Sequence, residues 1–389
     1  MSKLKQMRME PMTLLSRYTI KLFIKIYLIS LISLFCMYFI IDMVSHLDRL
    51  SKATPESASL LDTLFQYYGV RCFTLFNTIN ATVVLFSAAA TIATMQSKNE
   101  LIALHSMGAS PNQIAKPIIV VAIIMASLAA TNRELIIPRF QQDLTRTAQN
   151  WTGNEKIPIQ AKFDHRTDIL FGGRHAIKSD STILLPRLHL HRPLGRFPRI
   201  IEAQSAIYTS ATKTQPAGYK LKNVTVPASL DSYSTAVFEG EPVIVTATDH
   251  PDLKDNELFV VSRLPFDLLV AQNNHYKFNS TKSLIGLLQN QSLDYGAHLR
   301  VQLHARFVQP VLDLTLLLLG LPFVLSGRNQ SLLFSICGGV GTIVVFFGVV
   351  FTSHAVGASG YAISPSLAAW LPLFVLIPTT YFITKHIRR

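Results

Sequence analysis

The chain has 389 residues, of which 49% are hydrophobic and only 15% charged, against roughly 25% charged residues in an average soluble domain. This deficit argues against a purely cytosolic protein, while a mean hydropathy of +0.31 is too low for a chain embedded wholly in a membrane. The net charge of +13 fits either a nucleic-acid ligand or basic loops beside a membrane, so the position of the basic residues must decide.

Six apolar segments are candidates for membrane spans, since a span needs about 20 residues and flanking lysines can extend the shorter segments. Three precede a polar middle and three follow it: residues 26–41, 72–97 and 117–132, then 307–325, 331–353 and 366–384. The last two are divided by a Gly/Ser turn at residues 354–365. The chain therefore divides into residues 1–138, an inserted domain at 139–300, and residues 301–389.

The basic residues outside the polar middle predict the orientation. Most of them flank the N-terminus, the turn after the second span, the turn after the fourth span and the C-terminus, which all lie on one side if there are six spans. By the positive-inside rule this side is the cytoplasm, so we expect both termini inside and residues 139–300 outside. The polar middle has 19 basic and 15 acidic residues, so most of the positive excess belongs to the membrane half, which disfavours nucleic acid as a partner.

The polar middle is long enough for one domain and predicts β-structure. Its short β-branched stretches, at residues 182–185, 199–202, 206–208, 219–224 and 242–246, are separated by turn-forming residues, which is typical of a sandwich or open roll. A helix is expected only near residues 280–288. The domain has no cysteine, because the three cysteines are Cys36, Cys72 and Cys337.

Four histidines in this domain raise the possibility of a metal site, but the pattern favours exposed strand residues. They have no carboxylate or cysteine at ligand spacing, so no metal is predicted; they are His165, His175, His189 and His191. No arrangement of nucleophile and base rises above chance in the chain, and an enzyme is a minority interpretation.

The turn between the second and third spans contains two helix-start signals. Ser97 and Glu100 fit a capping box, Gly108 fits a left-handed stop, and Ser110 with Gln113 fits a second box that opens the third span. A short helix over 97–108 follows, with its leucines on one side. Such a helix could either enter a groove on a motor subunit or lie flat on the membrane.

No phosphate-binding loop of the G-x-x-x-x-G-K-[ST] type occurs in the chain. If the protein drives uphill transport, a partner must hydrolyse the ATP. We therefore expect no cofactor on this chain, and ATP with Mg²⁺ on the partner.

Five motifs, in this order and spacing, resemble the LptF/LptG (YjgP/YjgQ) family of lipopolysaccharide export permeases. Residues 99–110 read NELIALHSMGAS, 132–138 read NRELIIP, 304–310 read HARFVQP, 319–323 read LGLPF and 364–372 read SPSLAAWLP. Each motif alone is weak, but together with the three-plus-three layout they extend the resemblance over essentially the whole chain.

The resemblance implies an α-helical inner-membrane protein with six transmembrane helices and an inserted periplasmic β-jellyroll domain. Its members extract lipopolysaccharide as permease subunits of an ABC transporter and pass it to a periplasmic bridge towards the outer membrane. The implied partners are a second LptF/LptG-type permease, a dimer of LptB-type ATPases, an LptC-type single-span protein, lipopolysaccharide and membrane lipids.

The resemblance also implies roles for particular positions. Residues 97–108 become the coupling helix, with Glu100 facing the ATPase, and the first and fifth helices become lateral gates. The residues expected to couple to the ATPase are Ser97, Glu100, Leu101, Leu104, His105 and Gly108. Some G-type members carry a lysine three residues before the aspartate that ends the first helix; Phe39 stands there if that aspartate is Asp42, which leaves the F or G identity open.

Lipid export gives further side chains an expected role. Anionic sugar phosphates near the outer rim need cations, although each of these residues can also serve as an interfacial anchor: Arg49, Lys52, Arg71, Arg133, Arg300 and Arg306. The small residues Gly338, Gly341 and Gly348 allow close packing or sliding of the fifth helix. Asp313 is costly inside a span unless it is paired, so it is expected either to pair with Arg306, two turns earlier, or to serve with these glycines in the gate and cavity.

Two other functions remain open from the sequence. One is a membrane-anchored periplasmic binding or scaffold protein that transports nothing. The other is a permease of another lipid or lipoprotein ABC exporter, for which four spans and a different domain placement are expected.

Overall fold

The structure is a computed structural model that describes residues 14–53, 59–108, 110–145, 156–212, 215–250, 253–270, 275–294, 296–325 and 332–387. Its internal contacts divide the chain into two units. A helical unit comprises Met1–Ser45, Tyr68–Pro138 and Gly296–Arg389, and a β-rich unit comprises His46–Tyr67 and Arg139–Tyr295.

Six helices in the described part of the chain are long and apolar enough to cross a membrane, which confirms the predicted number. The α-helices in chain order are α1 (Leu14–Ala53), α2 (Leu60–Ser97), α3 (Glu100–Ser106), α4 (Pro111–Thr131), α5 (Gln141–Leu144), α6 (Phe266–Val270), α7 (Thr281–Gln289), α8 (Gly296–Leu325), α9 (Leu332–Ser359) and α10 (Pro365–Ile387). A π-helical turn at Asn132–Ile136 and a 3₁₀ turn at Ile137–Phe140 continue α4, and a second 3₁₀ turn lies at His275–Phe278.

The spanning helices are longer than the charge-free runs that predicted them. Helix α1 has 40 residues and includes Lys21 and Lys25, which are exposed. A helix can continue through such residues because long basic side chains reach away from the apolar stripe. The turn predicted at residues 354–365 was too long, because uncharged polar residues do not by themselves end a helix. Helix α9 continues to Ser359.

Helix α8 packs against α4, α9 and α10 in the helical unit. Its buried face includes Val308, Leu312 and Leu316, which belong to one apolar core with residues of the other spans. Gly320 brings α8 against α2, because a Cβ added there would lie 2.4 Å from Leu85 Cδ1. The one small residue therefore sets how closely these two helices approach.

The β-rich unit contains one antiparallel sheet of 11 strands. The strands in chain order are β1 (Ile157–Pro158), β2 (Lys162–Asp164), β3 (Ile169–Gly172), β4 (His175–Ile177), β5 (Thr182–Leu184), β6 (Arg187–Leu190), β7 (Ile200–Thr209), β8 (Gly218–Val226), β9 (Ala236–Phe238), β10 (Glu241–Thr246) and β11 (Glu257–Val261). The order along the sheet is β1-β4-β5-β7-β8-β11-β10-β9.

Strand β7 is the branch point of the sheet. One of its edges pairs with β8, while the other pairs with β5 towards Ile207 and with β6 towards Ile201. Strands β6, β3 and β2 then continue the second branch. A ten-residue strand can carry two short neighbours on one edge because each covers only part of its length.

The buried face of the sheet and α6 form the core of the β-rich unit, which confirms the predicted β-structure between the two helical triplets. The predicted strands at 199–202 and 206–208 are parts of the single strand β7. The helix near 280–288 is confirmed as α7, but the expectation that no other helix occurs here was wrong, because α6 also forms. Residues 266–270 are almost all apolar and buried, a pattern that periodicity alone cannot assign.

Two polar interactions stabilise this core. The Tyr219 hydroxyl is buried and donates to the Leu264 carbonyl oxygen at 2.8 Å; burial raises the pKa of Tyr219 well above its usual value. Glu257 receives a hydrogen bond from Lys220 Nζ at 2.8 Å and another from the Lys254 backbone N–H at 3.1 Å. Burial acts to raise the pKa of Glu257, but these two donors and the nearby lysine charges outweigh it and lower the pKa.

Candidate functional site

The turn between α2 and α4 forms the short helix that the sequence predicts, within narrower bounds. Helix α3 begins at Glu100 and ends at Ser106, and Gly108 follows in the left-handed conformation with φ +83°. At the start of α4, the Ser110 backbone N–H donates to Gln113 Oε1 at 3.1 Å, which confirms the second capping box. The left-handed glycine after α3 and the start of α4 therefore lie where the sequence predicts them.

The first capping box, between Ser97 and Glu100, does not form. Ser97 is the last residue of α2 and its hydroxyl donates to the Thr94 carbonyl oxygen at 3.0 Å. Asn99 takes a left-handed conformation with φ +58°, so α3 starts one residue later, at Glu100. Glu100 is thus the first residue of α3, whereas the capping box would make it the third. Its carboxylate is therefore available to another partner.

The Glu100 carboxylate binds a residue of the first span. The Tyr18 hydroxyl of α1 lies 3.0 Å from Glu100 Oε1 and 2.9 Å from Oε2, across 82 positions of sequence. In α3 Leu101 is buried, Leu104 half-buried and Ser106 exposed, and Lys98, which precedes the helix, is also exposed. The side chain of His105 lies outside the described residues.

The end of α1 next to Tyr18 is packed into the helical unit, whereas the rest of α1 is mostly exposed and contacts α2 through Phe39 and Asp42, which both meet Tyr68. Thr19, Phe23 and Tyr27 follow one helical face at four-residue spacing and are at most 2% exposed. The Tyr27 hydroxyl donates to Asn80 Oδ1 at 2.7 Å, and Asn80 Nδ2 donates to the Met125 carbonyl oxygen at 3.3 Å. One buried amide therefore joins α1, α2 and α4. Beyond Tyr27 the large apolar residues of α1 are mostly exposed: Ile29, Ile32, Met37, Ile40, Ile41 and Val44.

Two of the predicted lipid-phosphate residues bind other protein groups. Arg133 Nη2 donates to the backbone carbonyl oxygen of Arg306 at 2.7 Å. Arg306 Nη1 lies 3.9 Å from Glu134 Oε1, and Arg133 Nε lies 3.5 Å from the same atom. The π-helical turn positions this group, since its first residue, Asn132, donates to the Phe73 carbonyl oxygen on α2 at 2.8 Å.

The expected pairing of Asp313 with Arg306 was wrong. Asp313 Oδ1 accepts from Gln309 Nε2 at 2.8 Å, one turn earlier on α8. Helical side chains tilt towards the helix N-terminus, so Arg306 reaches away from a residue seven positions ahead of it, whereas positions four apart face each other.

Of the other predicted cations, the structure describes the side chains of two. Arg71 is half-buried and Arg300 exposed. The side chains of Arg49 and Lys52 lie outside the described residues. The roles of all six cations towards lipid remain predictions.

The predicted packing glycines of α9 separate into two kinds. At Gly338 an added Cβ would lie 2.9 Å from Phe323 Cδ1, so α9 approaches α8 closely there. At Gly341 and Gly348 an added Cβ would meet nothing within 4 Å. These two share an unpartnered face of α9 with Val344, which is 65% exposed. A close approach that the sequence analysis missed is at Gly357, where an added Cβ would lie 2.2 Å from Ala368 Cβ.

The four histidines of the β-rich unit do not form a metal-binding group: no cluster of three or more His, Cys, Asp or Glu side chains that could hold a metal occurs in the described residues. His165 and His191 both lie edge-on to Phe163, with ring centroids 5.1 and 6.3 Å from it. His189 pairs with Leu170 within the sheet, and His175 with Pro158.

Sequence reasoning missed Tyr18 and Asn80 as contact residues. A tyrosine near the end of a span is typical of the aromatic belt, so Tyr18 gave no distinct signal. Asn80 did give one, because an amide within an apolar span needs a hydrogen-bond partner. The four-residue spacing of Arg306 and Pro310 was another usable signal, since proline leaves that carbonyl without its helical donor.

Comparison with known proteins gives one match and one negative result. The family model for the lipopolysaccharide export system permease LptF/LptG matches residues 17–386, nearly the whole chain. No curated protein sequence matches the chain at the significance required.

Proposed function

The chain belongs to the LptF/LptG family of lipopolysaccharide export permeases, and from this premise we propose that it extracts lipopolysaccharide from the inner membrane as a permease subunit of an ABC transporter. Its partners in this proposal are a second permease of the family, two LptB-type ATPases and an LptC-type single-span protein. The lipid then passes to a periplasmic bridge towards the outer membrane. The ATP and Mg²⁺ belong to the ATPase, and this chain supplies no catalytic group.

Helix α3 is the observation that carries the proposal. It is a seven-residue helix set off from its neighbours by Asn99 and Gly108, with Ile102 and Ser106 exposed and a half-exposed acidic residue at its start. A separate short helix on a turn between two spans presents a shaped surface to a soluble subunit. An ATPase docked there can move the turn without entering the membrane.

The spanning helices suit a lipid that must leave its leaflet. Burial of an acyl chain is worth about 0.8 kcal/mol per methylene, so a lipid with roughly 60 buried methylenes resists transfer to water by on the order of 50 kcal/mol. The resistance falls if the chains move from the bilayer onto other apolar surfaces. The unpartnered faces of α1 and α9 are such surfaces, and the family resemblance assigns the gates to these two helices.

The proposed topology has both termini and α3 in the cytoplasm and residues 139–295 in the periplasm. It is supported by the basic residues near both termini and the α2–α4 turn. The Tyr18–Glu100 contact also supports it, because it brings the start of α1 beside that turn, as six spans require.

For the sugar phosphates, the geometry favours Arg300 over Arg133 among the predicted cations. Arg133 is largely buried, with a side chain 13% exposed, and donates to a backbone carbonyl oxygen. Arg300 lies in the first turns of α8 and is exposed, so it can reach an anion without breaking a protein contact.

Charge reversal at Glu100 tests the proposal. Glu100→Arg should reduce recovery of the nucleotide-hydrolysing subunit with the purified permease by about tenfold or more, because it places a cation where the partner meets a carboxylate. Glu239→Arg, at an exposed carboxylate of the β-rich unit, is the matched control and should leave recovery unchanged. If the Glu100 variant retains the ATPase and normal lipid-stimulated ATP turnover, the coupling role is wrong. A wild-type protein that recovers no such subunit would support a scaffold instead.

Cysteine labelling tests the topology. In a background without Cys36, Cys72 and Cys337, a cysteine at Ser232 or Tyr361 should react with an impermeant thiol reagent applied from the periplasmic side. A cysteine at Lys98 should react only after the inner membrane is opened. The reverse pattern would overturn the orientation.

A further inference from the structure

We infer that Tyr18 is a positioning residue for ATP coupling: its hydroxyl orients the Glu100 carboxylate for the ATPase and links the coupling turn to the first span. The inference rests on the proposed function, because it assigns Tyr18 a part in the same site. It concerns a residue outside every motif that carries the family resemblance.

The geometry allows Tyr18 to orient the carboxylate without using up its capacity to bind a partner. The hydroxyl lies nearly equidistant from the two carboxylate oxygens, at 3.0 and 2.9 Å. A phenol has one proton to donate, whereas a carboxylate has about four acceptor positions. Tyr18 therefore fixes the plane of the carboxylate and leaves most of its acceptor positions open to donors from a docked subunit.

The carboxylate also keeps its charge available. Within the part of the chain that the structure describes, Tyr18 is the only side chain that hydrogen-bonds to Glu100, and no cation of the chain forms an ion pair with it. The nearby basic residues Arg17, Lys21 and Lys98 are exposed. A neutral donor thus holds an acidic group whose opposite charge can come from the ATPase.

Tyr18 is 40% exposed, but it lies beside the packed face of its own helix. The next residue, Thr19, begins the buried face that continues through Phe23 and Tyr27. Tyr18 therefore belongs to the packed end of α1, and a displacement of α3 that carries Glu100 along also pulls on that end. The exposed remainder of α1, with Ile32 and Ile40 on its surface, lies downstream of this point. A motion of the turn is thereby passed to the span that the family resemblance assigns to a gate.

Removal of the hydroxyl tests the inference in the assembled complex. Tyr18→Phe should lower the amount of lipopolysaccharide extracted per ATP hydrolysed by about three- to tenfold, the range expected for loss of a hydrogen bond to a charged group near a surface. Tyr381→Phe is the matched control, because Tyr381 is 64% exposed on the last span and its ring contact with Phe382 survives the change. The control should retain the wild-type ratio.

A double-mutant cycle distinguishes positioning through Glu100 from a separate structural effect. If Tyr18 acts through Glu100, Tyr18→Phe should have no further effect on the ratio in a Glu100→Ala background. Amide hydrogen exchange in residues 100–106 should rise in Tyr18→Phe, and the rest of the helical unit should be unchanged.

Three outcomes would overturn the inference. They are a ratio within twofold of wild type in Tyr18→Phe, an equal loss in the presence and absence of the Glu100 carboxylate, or unchanged exchange in α3. Failure of the proposed function looks different, since the Glu100→Arg variant would then retain normal coupling or no ATPase would bind the wild-type chain.

Discussion

Arg133 donates a hydrogen bond to the carbonyl oxygen of Arg306 at 2.7 Å, and this is the carbonyl that Pro310 deprives of a helical partner. In an α-helix the N–H of residue 310 would donate to the oxygen of residue 306, but proline has no N–H. The Arg133 guanidinium, which lies on the π-helical turn that continues α4, supplies the missing donor from a neighbouring span. Within an apolar environment an unmatched carbonyl is costly, so this contact stabilises a proline inside α8.

Removal of the Arg133 guanidinium should destabilise the helical unit. Arg133→Met should lower the free energy of unfolding in detergent by about 1–3 kcal/mol, because a buried carbonyl oxygen loses its donor. Arg300→Met, at an exposed arginine, is the control. Pro310→Ala restores a backbone N–H at the right position, so the double variant should recover part of the loss. Thermal unfolding of wild type, the three single variants and the double variant measures this, and absence of recovery would contradict the assigned donor role.

The approach of α8 to α2 depends on Gly320. Gly320→Ala should destabilise the protein by about 1–3 kcal/mol, because the added methyl group would lie 2.4 Å from Leu85 Cδ1. Combined with Leu85→Ala the loss should be smaller than the sum of the two single effects, since the methyl group then enters the space that leucine leaves. Simple additivity in the thermal unfolding temperatures would show that the two residues do not meet.

The open glycine face of α9 gives a prediction about assembly. Gly341→Leu and Gly348→Leu should leave the unfolding temperature of the isolated chain unchanged, because nothing lies within 4 Å of an added Cβ. If this face packs against the second permease, each variant should reduce co-purification of that partner by about fivefold or more, as expected for overpacking. Gly339→Leu is also free of neighbours but lies on another side of the helix. Equal behaviour of all three variants would argue against a packed face.

The Glu257–Lys220 pair predicts a pH dependence in the β-rich unit. The folded-state pKa of Glu257 lies below its ordinary value of 4.5. The charged carboxylate therefore stabilises the fold fully above about pH 4.5, and the contribution is lost as the pH falls through the folded-state value. Glu257→Gln should lower stability at pH 7 by on the order of 1 kcal/mol, and the gap to wild type should narrow towards pH 3.

Urea titrations of the full chain at several pH values measure this difference. Unfolding is followed by pulse hydrogen exchange, at one fixed labelling pH, of peptides from β8 and β11. Lys282→Gln, which removes a charge from the exposed side of α7, is the control and should show no such narrowing. A gap that stays constant with pH would contradict the assigned role of the carboxylate.

Local signals in the sequence were sufficient for many of the elements, because such signals depend on neighbouring residues. Gly108, with the Ser110 and Gln113 pair, placed the end of α3 and the start of α4 correctly. The β-branched stretches indicated four of the eleven strands, β5, β7, β8 and β10, and the charge-free runs indicated the six spans.

The tertiary contacts were not accessible in this way. Tyr18 and Glu100 are 82 positions apart, and Arg133 and Arg306 are 173 apart. The branching of the sheet at β7 depends on which strands share an edge, which alternation does not encode. The pairing of Asp313 failed because spacing alone ignores the tilt of helical side chains.

Asn80 limits the motions that are open to the first span. Its amide accepts from Tyr27 and donates to Met125, so both ends of one small group are engaged with two different neighbours. A piston-like shift of α1 by one helical turn, about 5.4 Å, would separate the phenol from the amide and leave two polar groups unmatched in hydrocarbon. Swinging of the far end about this joint keeps both bonds intact, although it requires release of the hydrogen bond from the Tyr68 hydroxyl to Asp42 Oδ2 at 3.0 Å. A tilt of the first span therefore leaves the buried amide satisfied, whereas a slide does not.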